Sequence, residues 1–416
     1  MAEFRGLAWV PETFGLRATW TLEPDLEAAK QIVKSHLAGG SITISLLAQG
    51  GFNKIYDVTS DEDPKTLILR IALPVDPCYK TLSEVATMEW MLQNTNVPVP
   101  VVVNSSSSGA NPVGFEWILM TKLPGQPLAH AWRSLPYVAK EGLTKQFAEY
   151  SSCLFKKQLG RIGNIYAASP LQMGRIVSMH FFWGDHIHQK VCRGPFASSK
   201  DWIKARLALS ESDCLLIMSK HPVRTGLNSD DEDALDDAER TLRIVERLQP
   251  LVDQIFSSSQ SSEETSMLFH DDLSKHNILV HDNGTVSGVV DWECVSALPL
   301  WKACYYPSFL VGLSRHKEPD RARYQCGTDG QPGDLYWEHL MEFELTILRT
   351  VFLEEMSRLE PEWVRIFNCS AVQRDLDIAV QNCGNELVAR HINDWIDDVA
   401  AKGSNARSLR DRIDES

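Results

Sequence analysis

At 416 residues, 44% hydrophobic and 23% charged, the chain is long for a single domain, has an ordinary globular composition and suits a two-lobed enzyme. Its formal net charge of −14 argues against the basic surface that nucleic-acid phosphate requires, and no apolar run approaches the ~20 residues that cross a bilayer, so neither nucleic acid nor a membrane is an expected partner. Nine cysteines occur singly without a C-x-x-C pair, and Glu3, Arg5 and Glu12 leave no long apolar core for a secretory signal, so a reducing, cytoplasmic setting is expected.

Pro24 to Leu37 carries apolar residues at Leu26, Ala29, Val33 and Leu37 ahead of Gly39-Gly40, which is helix periodicity with a glycine stop. Ile42 to Ala48, Lys54 to Thr59 and Thr66 to Ala72 read as three strands, joined by Gln49-Gly50-Gly51-Phe52-Asn53 and Asp61-Glu62-Asp63-Pro64. Glycines at such a hairpin tip can offer backbone N–H groups to phosphate oxygens, although glycine pairs in hairpins are usually only structural. The third strand carries Arg70. A helical run follows over Ser83 to Leu92, with apolar Val85, Met88 and Leu92 and with two acids, Glu84 and Glu89. Val101 to Val103 and Phe115 to Thr121 read as closing strands around the serine run Ser105 to Ser108. Composition breaks at Pro124-Gly125, which divides the chain into 1–123 and 124–416.

Beyond the break, Tyr137 to Leu159 reads as a helix. Gly160 to Ser199 holds His180, His186, His188 and Cys192, but His186-Ile187-His188 has strand-like spacing and no acids complete a metal set. The acid-rich run Asp230 to Asp237 opens a helical pattern through Leu242, Val245, Leu248 and Leu251, a start that the helix dipole favours. Ser257 to Ser262 with Glu263-Glu264 reads as a polar loop, and Gly327 to Gly333 as another. Leu335 to Leu353 and Leu376 to Val399 read as helical, with Trp337, Trp363 and Trp395 as packing residues.

The chemistry concentrates between these segments. Met267 to Phe269, Ile278 to Val280 and Val286 to Val290 read as short strands, with Asn283-Gly284 as a tight turn. That hairpin returns Asp291 to the neighbourhood of Asp272 and Asn277. Phosphoryl transfer needs such a grouping: the protein must hold a metal-bound triphosphate, orient a hydroxyl and take its proton, with little covalent work of its own. Acids and Asn in a polar loop also make ordinary turns, so one motif alone is not decisive.

His270-x-Asp272, Asn277 five places later and Val290-Asp291-Trp292-Glu293 resemble the catalytic segments of the protein-kinase-like fold, above all its aminoglycoside phosphotransferase and choline kinase branch. The resemblance runs from about Ile42 to Val399 and implies an α+β, two-lobed protein-kinase-like fold: a small lobe with an antiparallel sheet and a large, mainly helical lobe. It implies ATP- and Mg2+-dependent transfer of the γ-phosphoryl group to a hydroxyl of a small molecule. Asp272 then becomes the base that orients the hydroxyl, and Asn277 and Asp291 the magnesium ligands. Arg70 stands where many relatives have lysine and can grip phosphate bidentately, oriented by Glu84, which begins its helix well before Val97-Pro98-Val99-Pro100, or else by Glu89. Gly50, Gly51, Phe52 and Asn53 would cover the phosphates. Thr121 and Leu123 would hold the adenine edge through backbone groups, with Met120 against the base.

Lys275 stays secondary as a charge near the γ-phosphate, being three places after Asp272 rather than two. The aromatic stretch Phe181 to Phe196 is expected to shape the acceptor pocket, and the acidic balance is compatible with a cationic acceptor. Two alternatives remain: a nucleotide-binding pseudoenzyme acting as an interaction module, disfavoured by the three polar groups, and a protein kinase, disfavoured by the missing activation segment.

Overall fold

The computed structural model describes residues 4–12, 15–37, 39–222, 224, 226–257, 263–326 and 331–415. Glu3 and the loop expectations over 258–262 and 327–330 lie outside the described residues. The chain begins with an antiparallel hairpin, β1 (Leu7–Glu12) and β2 (Gly15–Trp20), that the sequence reading did not anticipate. Helix α1 (Leu26–Val33) follows; the Asp25 carboxylate caps it by accepting from the Ala28 N–H at 2.9 Å.

A five-stranded antiparallel sheet comes next, formed by β3 (Ile42–Gln49), β4 (Asn53–Ser60), β5 (Leu67–Ala72), β6 (Val102–Ser106) and β7 (Glu116–Thr121) in the order β3-β4-β5-β7-β6. Part of the expected serine turn, Ser105 and Ser106, is strand. Helix α2 (Tyr79–Asn94) lies between β5 and β6 in the chain. Strand alternation sorts the two faces of the sheet. Leu67, Leu69, Ile71, Trp117 and Leu119 pack with Ala29 and Val33 of α1. Ile68, Ile118 and Met120 pack with Ala86, Met88 and Met91 of α2. Arg70 shares the second parity, so β5 delivers it to the α2 side.

The rest is mainly helical. After β8 (Gln126–Pro127) and the short α3 (Leu128–Ala131), α4 (Tyr137–Phe155) leads to an unanticipated hairpin, β9 (Asn164–Ala168) and β10 (Leu171–Gly174). The short α5 (Met179–Phe182) precedes α6 (Ser199–Lys220) and α7 (Ser229–Ile255). His186–His188 is a 3-10 turn rather than a strand. The acidic start of α7 is capped by Asn228, which accepts from the Asp231 N–H at 2.8 Å.

Four short strands frame the segment from His270 to Val295. β11 (Ser266–Phe269) pairs with β14 (Ser296–Pro299), while β12 (Ile278–Val280) lies between β13 (Val286–Val289) and β8. α8 (Leu300–Ala303), α9 (Asp334–Leu359), α10 (Pro361–Cys369), α11 (Ala371–Gln381), α12 (Glu386–Lys402) and α13 (Leu409–Asp414) complete the large lobe. The helical run expected over Leu376 to Val399 is therefore two helices, because the chain turns at 382–385 and Asn385 caps a new start, accepting from the Leu387 N–H at 3.0 Å. Trp363 and Trp395 are fully buried as packing residues, whereas Trp337 is half-buried beneath Arg133. The fold is α+β, a five-stranded antiparallel sheet followed by a mainly helical part. Among the described residues no helix is long and apolar enough to cross a membrane.

Candidate active site

Arg70 joins β5 and α2 to the segment that follows β13. Only 4% exposed, it reaches Glu84 Oε1 of α2 at 2.8 Å, Asp291 Oδ1 at 2.9 Å and Glu293 Oε2 at 2.8 Å. Glu89 is exposed, so Glu84 is the helix acid that pairs with Arg70. A second cation, Lys80, was missed by the sequence reading. Buried one helical turn before Glu84, it donates to Glu293 Oε2 at 2.6 Å and Asn53 Oδ1 at 3.0 Å, and Asn53 donates to the same Glu293 oxygen at 2.9 Å. The i, i+4 spacing of Lys80 and Glu84 on one helix was the available signal.

Three carboxylates thus share two buried cations. Burial pushes Glu84 up to about 7 against the pull of Arg70 and Lys80. Burial acts in the same direction on Glu293, but Lys80 and Arg70 outweigh it and hold that carboxylate down at about 2. Burial would lower the Arg70 guanidinium; Glu84, Glu293 and Asp291 together hold it above its ordinary range.

The loop between β11 and β12 is tied down by His270 and Asn277. His270 is held below its usual range by burial, so its neutral ring donates through Nε2 to the Val290 carbonyl at 3.2 Å and lies 5.2 Å from the Trp292 ring. The Asn277 amide nitrogen donates to the Asp272 carbonyl at 2.8 Å and to its carboxylate at 3.0 Å, while the Asn277 carbonyl accepts from the Val290 N–H at 2.9 Å. One residue further, Asp291 has φ 63°, a left-handed conformation that non-glycine residues seldom adopt and that occurs preferentially at functional sites. Asp272 is exposed, and its neighbour Asn277 partly so. The Lys275 ammonium lies 4.8 Å over the Trp132 ring and 3.3 Å from Met341 Sδ, held low by burial and by Lys140.

The nucleotide-side residues occupy different environments. The β3–β4 tip closes through the Gly50 N–H to the Asn53 carbonyl at 2.9 Å, and a Cβ on Gly50 or Gly51 would meet nothing within 4 Å. Phe52 packs against Phe182 and Trp183, with ring centroids 5.4 and 6.3 Å away, so the tip rests on the segment around α5. Met120 is buried on the α2 face. Thr121 pairs with Val101 through its N–H at 3.0 Å and its hydroxyl at 2.9 Å. Leu123 lies so close to β13 that a Cβ on Gly288 would come within 2.4 Å of it.

Most aromatic residues of Phe181 to Phe196 pack inward, while Lys190, Val191, Cys192, Pro195 and Phe196 of the same stretch line an open cavity of about 520 Å³ that no residue from His270 to Asn277 borders. Phe181, Phe182 and Phe196 are core residues, and half-buried Trp183 packs on Trp9 and Phe52. The ring nitrogens of His186 meet the His180 carbonyl and Asp213, each at 2.6 Å. A second cavity, of about 370 Å³, opens beside the loop between β11 and β12, lined by Asp271, Lys302, Tyr305, Arg374 and Arg410 among others.

Residues 220–301 match the phosphotransferase enzyme family, a span that contains every residue from His270 to Glu293. The segment from His270 to Glu293 is thus similar in sequence to that family. A subtelomeric hrmA-associated cluster protein of Aspergillus fumigatus is 28% identical over 314 residues, 64% of this chain and 60% of that protein. Clavilactone A biosynthesis cluster protein Y of Ampulloclitocybe clavipes is 28% identical over 268 residues, 62% of each chain. The chain thus spans about 60% of the length of the curated relatives it matches. A solved choline kinase from Cryptosporidium parvum aligns over 94% of both chains at 14% identity and a TM-score of 0.40. Asp291 and Glu293, which meet Arg70, lie within the span that matches the family model.

Proposed function

We propose that this protein is an ATP- and magnesium-dependent phosphotransferase acting on a hydroxyl of a small molecule. The observation that carries this reading is the single buried guanidinium of Arg70, which joins the helix acid Glu84 to Asp291 and Glu293 of the phosphotransferase-family segment. A charge centre of that kind, facing a loop in which Asn277 steadies Asp272, suits the binding of a triphosphate and the orientation of a hydroxyl.

The residues fit magnesium. Both partners of the Asn277 amide nitrogen are oxygens, so the side-chain carbonyl is the atom left to face a cation. With the Asp291 carboxylate it offers the hard oxygen donors that magnesium takes, usually beside several waters. Bound there, the ion would neutralise charge on the β- and γ-phosphate oxygens. Arg70 would release Asp291 to grip phosphate, still held by Glu84. Asp272 would accept the hydroxyl proton as the acceptor oxygen bonds to the γ-phosphorus. The bond to the β,γ-bridging oxygen then breaks and its electron pair leaves with ADP. Backbone groups of Thr121 and Leu123, with Met120, would receive the adenine, and Gly50 to Asn53 would cover the phosphates. Because β8 already pairs with β12, the chain enters the large lobe directly after Leu123, which supports the division at 123/124. All nine cysteines are free, which supports a reducing compartment such as the cytoplasm.

The Arg70–Asp291 contact also favours a second reading, a nucleotide-binding module in which that carboxylate stays closed to metal. An ADP-release screen over hydroxylated metabolites, run with and without magnesium, separates the two. Magnesium-dependent turnover that falls in Asp272→Asn supports the enzyme; Mg-ATP binding without turnover of any acceptor supports the module.

A further inference from the structure

We infer that the cavity beside the catalytic loop takes a hydroxyl-bearing organic anion, a carboxylate or phosphate ester, rather than a cationic amine. This rests on the phosphotransferase reading and deepens it. The argument is an inventory of the charged groups on the cavity wall, three acids and three cations.

The acids are largely satisfied from within. Asp377 is held by Arg206 and, at 2.8 Å, by Lys302, which keeps it well below the usual carboxylate range despite burial. Asp375 accepts from the Leu409 N–H at 3.0 Å and the Ser408 hydroxyl at 3.1 Å, which fastens the start of α13. Asp271 is exposed and lies 3.8 Å from Lys302, at the end of the cavity next to Asp272.

The Arg374 guanidinium is only partly satisfied, and Arg410 is half-buried. Among the described residues neither Arg374 nor Arg410 forms an ion pair. They stack on the same Tyr305 ring, 5.2 and 5.6 Å from its centroid. Arg374 donates through Nη2 to the Phe367 carbonyl at 2.8 Å, but its Nη1 is buried without a hydrogen-bond partner. The Ser308 hydroxyl, on the same wall, is buried and unpartnered as well. Buried donors left unpaired are costly unless something meets them, and a fork of guanidinium donors matches the oxygens of carboxylate or phosphate. Tyr305, Tyr306 and Phe367 supply apolar walls for the body of the ligand. The 3-10 turn bearing Ser308 is bonded to the loop that carries Asp271 and Asp272, Phe309 N–H to the Leu273 carbonyl at 2.9 Å, and Asp271 lines the same cavity as the arginines.

The test uses the full-length protein with matched probes: aromatic hydroxycarboxylates, their neutral carboxamides, hydroxylated phosphate monoesters, and the amino-alcohols choline and ethanolamine. Binding is read by calorimetry on Asp272→Asn, and turnover by ADP release on the wild type. An anion arm should bind, with carboxylate and phosphate arms distinguishing the source of the charge, and should lose about tenfold or more in affinity in Arg410→Gln, with partial recovery in Arg410→Lys. A matching rise in acceptor KM with an unchanged ATP KM supports the inference. Anion binding without turnover keeps the site and sinks the phosphotransferase reading instead. Binding confined to the amino-alcohols, binding of neither anion, or anion binding indifferent to both Arg374→Gln and Arg410→Gln overturns the inference.

Discussion

Arg70 holds three carboxylates with two nitrogens, so its replacements separate charge from shape. Arg70→Ala would leave Glu84 and Glu293 buried beside Lys80 alone, and breaking a buried pair in this way costs about 3–5 kcal/mol. Lost activity in that variant is therefore expected to come with a fall in Tm. Arg70→Lys keeps one positive charge but cannot span the three acids; it should fold, melt somewhat lower and retain partial Mg-ATP turnover. Equal turnover in Arg70→Lys and wild type would remove the phosphate-gripping role. His180 offers a pH test away from the catalytic cluster. Burial, with Arg206 at 3.2 Å, pushes it from 6.5 down to about 3, so the folded protein keeps it neutral while the unfolded chain protonates. The unfolded state then binds more protons between those values, and stability contributed by neutral His180 is present above 6.5 and falls as pH drops toward 3. Chemical denaturation of wild type and His180→Gln across that window should show a shallower acid loss in the variant.

At the scale of elements, local patterns were legible wherever one face alone decided the outcome. The strand β5 and the helix α2 show in the sequence, but the choice of Glu84 over Glu89 as the partner of Arg70 was implied only by the resemblance and is decided by the 2.8 Å contact. The β1–β2 hairpin and the β9–β10 hairpin were missed because they are held by partners distant in the chain: Leu7 and Ala18 share a small core with Leu73, Val177 and Phe182. The same core takes up Phe182, while Phe181 and Phe196 pack into the larger one. The β3–β4 tip gives the sharpest test of an element's purpose. Since no atom of the protein approaches a Cβ at Gly50 or Gly51, and neither adopts a left-handed backbone, alanine there should leave Tm unchanged or raise stability by about 0.4–1 kcal/mol. If the glycines exist to let phosphate approach, Gly50→Ala and Gly51→Ala should nevertheless raise the Mg-ATP KM. Unaltered nucleotide kinetics would make the pair structural only.

For the molecule as a whole, the catalytic segment was legible because its residues lie within one short stretch of chain, whereas the cavity was not, since Asp271, Lys302, Arg374 and Arg410 come together only through the packing of the large lobe. Lys80 fell between these cases: it lies near Glu84 in sequence but becomes part of the site through Glu293 and Asn53, both distant in the chain. The catalytic segment in turn predicts two distinguishable defects. Asp272→Asn keeps the size of the side chain and its backbone carbonyl bond to Asn277 while removing the charge that takes a proton, so Mg-ATP should bind nearly normally and turnover should fall roughly 10²–10⁴-fold. Asn277→Ala removes a candidate metal ligand together with both bonds that steady Asp272, so rate and magnesium affinity should fall together. Magnesium titrations of ADP release, set beside calorimetric Mg-ATP binding, read the two apart: the half-saturating magnesium concentration should move in Asn277→Ala and stay in Asp272→Asn. A wild-type rate in Asp272→Asn would end its assignment as the base, and an unmoved magnesium midpoint in Asn277→Ala would leave Asp291 as the metal's remaining proposed ligand.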